Sequence, residues 1–145
     1  MSLNLIETGR DFFPHLDLRF AEGATSLDGK EEFNHLVSFS VFHYFDSLDY
    51  AKLVIDGMKT AALTSVSILD VPDLMTKDSD IQCRRLQYSE GEYELKYKDL
   101  PHLYYSRDWM TDLFPRSDWS VCIENQSMSN YSNAGFRFNI FAIKN

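Results

Sequence analysis

Cysteine, basic side chains and long apolar runs are all sparse in this chain, and each scarcity narrows what it can be. Only two cysteines, Cys83 and Cys122, occur in 145 residues. So few, set far apart, build neither a disulfide framework nor a zinc site, and they read as reduced thiols of a cytoplasmic protein. Lys and Arg total 14 against 22 Asp and Glu, a formal net charge of −8. Nucleic-acid binding rests on clustered cations that neutralise phosphates, and the one dense basic spot, Arg84-Arg85, is flanked by acidic stretches. No nucleic-acid partner is therefore expected. No apolar run approaches the roughly 20 residues needed to cross a bilayer, so no membrane partner is expected either. The first residues, MSLNLIETGRD, lack the basic start and apolar stretch of a signal peptide. Met-Ser-Leu is set aside as a leader. There is no Gly-x-Ser-x-Gly elbow and no His-Glu-x-x-His pair, which removes support for a hydrolase.

What remains is an ordinary globular composition, 44% apolar and 25% charged, in a length that fits one domain, residues 1–145. Asn4 to Phe13 predicts a short helix with Leu5, Ile6, Phe12 and Phe13 facing inward, ended by Pro14. Leu16 to Ala21 alternates apolar and polar residues, the period of a strand, and Gly23 closes it. Asp28-Gly29 marks a further turn, with Glu31-Glu32 leading into the next element. Phe33 to Phe39 is apolar and aromatic enough for a strand buried on both faces. After it, Asp46 or Ser47 can cap a helix carrying Leu48, Ala51, Val54, Ile55 and Met58 on one side. A second apolar strand spans Ser65 to Val71 and stops at Pro72. Strand, helix and strand at this spacing form a βαβ unit with parallel strands.

Met75 to Tyr105 reads as a long excursion with a polar β-hairpin around Glu90-Gly91. Ser106 can cap a helix over Arg107 to Phe114, ended by Pro115. Two strand candidates, Trp119 to Asn125 and Phe136 to Ile143, then suit an antiparallel hairpin. Phe136, Phe138, Ile140 and Ala142 share one face by the period of two and are assigned to the core, as are Trp109 and Trp119.

This order, from about Leu5 to Ile143, resembles the later part of a class I S-adenosylmethionine-dependent methyltransferase, with Leu36 to Lys59, LVSFSVFHYFDSLDYAKLVIDGMK, as its strand, loop and helix. The fold class implied is α/β, a partial Rossmann-like sheet, mostly parallel, with a C-terminal antiparallel hairpin. Phe20 to Leu27, FAEGATSL, resembles the segment after the family's third strand, where a turn lies against the adenine. The resemblance thus implies cofactor contacts from Glu22, Gly23 and Ala24, with Glu22-Gly23 standing where Gly-Asp is usual. Phe33 to Val37 resembles the fourth strand, with Asn34 in place of the usual Asp. Ser38 and Phe39, at its carboxyl end, would pass beside the methionine portion of S-adenosylmethionine. His43-Tyr44 falls on the following loop. A histidine there can serve as a general base or can orient the loop by hydrogen bonding. Tyr44, Tyr104 and Tyr105 fall where the family builds a lid over its acceptor.

The place after the fourth strand reads Ser38-Phe39-Ser40-Val41 rather than Asn-Pro-Pro-Tyr. With the acidic balance, that points away from DNA adenine or protein glutamine methylation and toward a small-molecule acceptor. The Gly-rich turn after the family's first strand has no counterpart, nor does the acidic residue that would hold the ribose. The sheet would then lack two central strands and leave the fourth with a bare edge. Two outcomes are expected: either the third strand moves beside the fourth, or two copies of the chain pair through that edge. Two functional readings stand side by side. One is part of a methyltransferase acting on a small molecule; the other is a non-catalytic binding or assembly module that has lost the cofactor site.

Overall fold

A serine starts the helix that anchors one face of the sheet. In the computed structural model, which describes residues 3–19, 21–27, 31–98 and 102–145, the Ser47 hydroxyl accepts from the Tyr50 backbone N–H at 3.1 Å. That satisfies a donor which a helix start otherwise leaves unpaired. The described elements run α1 (Leu3–Phe12), β1 (Phe33–Phe39), α2 (Leu48–Ala61), β2 (Ala62–Pro72), α3 (Lys77–Arg85), α4 (Glu90–Tyr97), α5 (Arg107–Asp112), β3 (Trp119–Asn125) and β4 (Arg137–Lys144). Three short 3-10 turns, Phe42–Tyr44, Leu74–Thr76 and Ala134–Phe136, join them.

The strands lie in the order β1-β2-β4-β3. β1 and β2 are parallel, joined through α2 as a βαβ unit, and β4 runs antiparallel to both β2 and β3. Three strands thus share one direction and the last opposes them, the α/β arrangement expected. Val66 and Ile68 of β2 pair in register with Ala142 and Ile140 of β4. With Phe138 they bury against Ala51, Val54, Ile55 and Met58 of α2, Met110 of α5 and Phe114 beyond it. Each such aliphatic or aromatic side chain contributes about 1.5–3 kcal/mol by leaving water. Trp119 and half-buried Trp109 join this core, as expected.

The opposite face of the sheet is open, and here the expectation for β1 fails. Leu36 packs on the core, but Val37 and Phe39 point to the other side and are 62% and 51% exposed. No described helix covers them, and among the described residues β1 is one of the sheet's two outer strands, so it is not buried on both faces. Leu16 to Arg19 and Ala21 form no strand, which removes the version in which that segment pairs beside β1. Arg10 instead holds this stretch by donating to the Leu18 carbonyl at 2.7 Å.

Three further expectations are corrected. α1 forms, yet none of its residues is buried: the helical period is kept, but Leu5 and Phe12 meet no core among the described residues. The segment around Glu90-Gly91 is not a hairpin but α4. Ser89 N–H donates to the Glu92 carboxylate at 3.0 Å, and this capping box starts a helix where the glycine had read as a turn. Leu48, assigned to the buried side of α2, is exposed. Residues 23–27 do form turns, but Asp28-Gly29 lies outside the described residues. The turn rests on α2 closely: a Cβ at Gly57 would come 3.5 Å from Leu27.

Candidate functional site

Open α/β sheets place ligands at the carboxyl ends of their strands. At that end of β1 and β2 two non-glycine residues sit in left-handed backbone, Ser40 at φ 54° and Asp70 at φ 63°. Such conformations cost about 1–3 kcal/mol each and persist only where surrounding bonds hold them. The bonds are present. Ser40 Oγ donates to Asp70 Oδ2 at 2.7 Å, the Tyr131 hydroxyl donates to the same oxygen at 2.9 Å, and Asp70 N–H donates to the Asn139 side-chain carbonyl at 2.9 Å. The β2–β4 register shifts between Ile68 and Val71 to accommodate the kink.

Behind this ring lies a buried charge cluster. Arg137 opens β4, is only 4% exposed, and donates from Nη1 to Asp80 Oδ2 at 3.0 Å and to the Phe136 carbonyl at 3.1 Å. Its Nε stands 3.9 Å from Asp70 Oδ1, too far for a hydrogen bond, and neither atom has another partner among the described residues. Asp80, fully buried on α3, also accepts from the Tyr104 hydroxyl at 2.8 Å and pairs with Arg84 Nε at 3.3 Å. Arg84 in turn donates to the Tyr104 oxygen and, from Nη1, to His102 Nδ1 at 3.1 Å. Two aspartates balance two arginines, which is how buried charge is tolerated.

Arg137 of this cluster lines a cavity of about 310 Å³ together with Ser40, His43, Tyr44, Lys96, Tyr97, His102, Tyr131 and Asn133. That volume falls within the range of small-ligand pockets, about 300–1,000 Å³. His43 and His102 rings stand 4.9 Å apart between centroids, and His43 is 3.9 Å from Tyr44. Burial pushes the His102 pKa down to about 4, with the neighbouring Arg84 adding to the effect. An arginine can only donate, so Nδ1 of His102 is the acceptor and its proton sits on Nε2. Burial, then Arg137, also holds the His43 imidazole below its ordinary pKa, so it is neutral at pH 7. Its Nδ1 is buried with no hydrogen-bond partner among the described residues. The ring lines the cavity, but the buried Nδ1 is not the nitrogen that could meet a ligand there; only the opposite ring edge could take up a ligand's proton.

Of the residues singled out from sequence, His43 and Tyr44 line this cavity together. Tyr104 and Tyr105 do not: both are buried, Tyr104 within the charge cluster and Tyr105 in the core, where its hydroxyl donates to the Phe42 carbonyl at 2.8 Å. Burial pushes both phenols above their ordinary pKa. Ser38 and Phe39 lie on β1 outside the cavity lining, and so do Glu22, Gly23 and Ala24. The Glu22 carboxylate already accepts from the Tyr50 hydroxyl, the Thr25 backbone N–H and the Thr25 hydroxyl, which lowers its pKa. Gly23 is packed too, with a Cβ there 3.4 Å from the Tyr50 oxygen. The described residues therefore do not by themselves fit S-adenosylmethionine: the acidic acceptor is in use and no glycine cradle lies open. Asp70, Asp80, Arg84, Lys96, Tyr131 and Arg137 were not anticipated. Single charges inside apolar strands, Asp70 in SILDVP and Arg137 in GFRFNIF, were the signal available.

No protein-family model matches the chain, and no curated protein matches it. Solved structures do. The magnesium protoporphyrin IX methyltransferase from Synechocystis PCC 6803, solved with bound SAH, matches at TM-score 0.60 and 7% identity, over 96% of this chain and 57% of that one. An O-methyltransferase family protein from Burkholderia thailandensis matches at TM-score 0.57 and 12% identity, over 94% of this chain and 38% of that one. A structure describing conversion of a disulfide bond into a thioacetal group during echinomycin biosynthesis matches at TM-score 0.58 and 18% identity, over 99% and 62%. The fold is that of the matched part of these methyltransferase structures. The chain spans roughly two-fifths to three-fifths of the length of these structures.

Proposed function

We propose that this chain is the acceptor-binding portion of an S-adenosylmethionine-dependent methyltransferase that acts on a small molecule. The observation carrying this reading is the cavity at the carboxyl ends of β1 and β2, with neutral His43 on its wall. The methyl donor, S-adenosylmethionine, would have to be held by groups other than the described residues. The chain's own residues hold the acceptor between Tyr44, His102 and Tyr97, and His43 accepts the proton that a hydroxyl acceptor gives up. Ser40 and Tyr131 of the cavity lining both donate to Asp70. The acidic balance of the chain supports a small molecule over nucleic acid as the acceptor.

A second reading, a non-catalytic binding or assembly module, is favoured by the internal use of the Glu22 carboxylate. In either reading the exposed edge of β1 is a pairing surface, and we place a second copy of the chain against it. Calorimetric titration with S-adenosylmethionine and S-adenosylhomocysteine separates the two functions. Saturable heat supports the transferase. Silence at millimolar ligand rules out catalysis by this chain alone.

A further inference from the structure

Resting on the reading of the cavity as an acceptor site, we propose that its ligand is a planar aromatic molecule bearing a carboxylate. On a chain with 22 acidic residues, none of the nine lining residues is acidic, while Lys96 and Arg137 are cations. Arg137 commits only Nη1 to hydrogen bonds with described residues. Its Nη2 makes none, and a guanidinium donor held rigidly at a cavity wall is suited to a carboxylate. Rigidity is supplied by Asp80 and by the burial of the side chain.

The rest of the lining names the other half of the ligand. His43, Tyr44, Tyr97, His102 and Tyr131 are all rings, and the contacts His43–Tyr44, His43–His102 and Tyr97–His102 join four of them at centroid distances of 3.9, 4.9 and 5.9 Å. Aromatic walls favour offset or edge-on contact with another ring. Charge balance then discriminates between anions. Asp70 and Asp80 offset Arg84 and Arg137, so the surplus at the opening is the single charge of Lys96. One surplus charge matches a monovalent carboxylate better than a dianionic phosphate. At both histidines neighbouring arginine opposes protonation of the ring.

The test is direct binding to the chain, by calorimetry or by ligand-observed NMR, with 4-hydroxybenzoate, phenol and phenyl phosphate, in the absence of S-adenosylmethionine. The expected order is 4-hydroxybenzoate tightest, with phenol weaker by about tenfold or more, the range of one charge-assisted contact. Lys96→Gln lies on an exposed helix and leaves the far-UV spectrum unchanged while weakening 4-hydroxybenzoate several-fold. Arg137→Gln abolishes the preference over phenol. Equal binding of phenol, tighter binding of phenyl phosphate, no binding of any of the three, or indifference to Lys96→Gln overturns the proposal. Carboxylate binding without cofactor binding would rule out methyl transfer by this chain alone and leave this proposal standing. Cofactor binding without carboxylate binding would do the reverse.

Discussion

Asp80→Asn is the substitution that interrogates the interior of the site most sharply. The carboxylate is fully buried and meets the guanidiniums of Arg84 and Arg137 at 3.3 and 3.0 Å, with the Tyr104 hydroxyl at 2.8 Å. Asparagine keeps the shape and can still accept from Tyr104. It removes the negative charge, however, and turns an amide donor toward groups that only donate. Arg137 is then left with Asp70 at 3.9 Å, and Arg84 with a neutral histidine and a phenol. Breaking a buried pair in this way costs about 3–5 kcal/mol, and the retained tyrosine bond places the loss near 3. At about 4 °C per kcal/mol for a domain of this size, melting should fall by roughly 12 °C. Urea unfolding followed by circular dichroism gives the loss directly from the shift in midpoint at unchanged slope. A loss under about 1 kcal/mol would refute the reasoning, because it would mean that water already solvates these charges. Pairing Asp80→Asn with Arg84→Gln closes a double-mutant cycle, in which the combined loss should be clearly less than the sum.

Three other outcomes follow from the same geometry. His102 is neutral in the fold down to about pH 4 against an ordinary value of 6.5, so between those values the unfolded chain binds the proton first. Stability from this group is thus intact above pH 6.5 and falls with pH toward 4 by about 2 kcal/mol after allowance for its partial exposure, a decline that His102→Gln should remove in urea titrations at stepped pH. Tyr105→Phe leaves the Phe42 carbonyl with only the Phe45 N–H as its donor and should cost about 1 kcal/mol by chemical denaturation, with no change in secondary structure. Val37→Lys with Phe39→Lys places charges on the exposed face of the outer strand; sedimentation should show weaker self-association while stability changes by less than about 1 kcal/mol. A chain that sediments as a monomer before substitution removes the dimer.

The middle and end of the fold were legible because local signals agreed with the tertiary arrangement. Ser47 capped where an N-cap was expected, the α2 apolar stripe faced the sheet apart from its first residue, and the β4 alternation matched its buried face from Phe138 to Ala142, while Phe136 fell in the half-buried 3-10 turn before the strand. α4 was misread because Gly91 and the tyrosines look like turn and strand signals, whereas the Ser89 and Glu92 pair decides for helix. At the start of the chain the helical period of α1 was genuine but described no burial, and the alternation of Leu16 to Ala21 made no strand, since a period says which residues would share a face and not whether anything covers or pairs with it. The site was half legible. His43 and Tyr44 follow a strand end and are recognisable from that place alone. Asp70, Asp80 and Arg137 come together only through the β2–β4 register and the return of α3, and no local pattern encodes such a meeting.

One feature of the sheet governs when the protein can fold at all. β4 comes latest among the described strands, yet it stands between β2 and β3 and is bonded to both. Until residues 137–144 are available, β2 has β1 alone for a neighbour, β3 has none, and the buried face of α2 lacks Phe138, Ile140 and Ala142. The earlier elements cannot lock in one after another as they are made, because the loop that must close to join β2 with β4 spans nearly half the chain, and such long-range pairings fold slowly. A chain cut just before residue 137 would therefore be not a smaller version of this domain but an open, apolar sheet fragment prone to pair with whatever strand it meets.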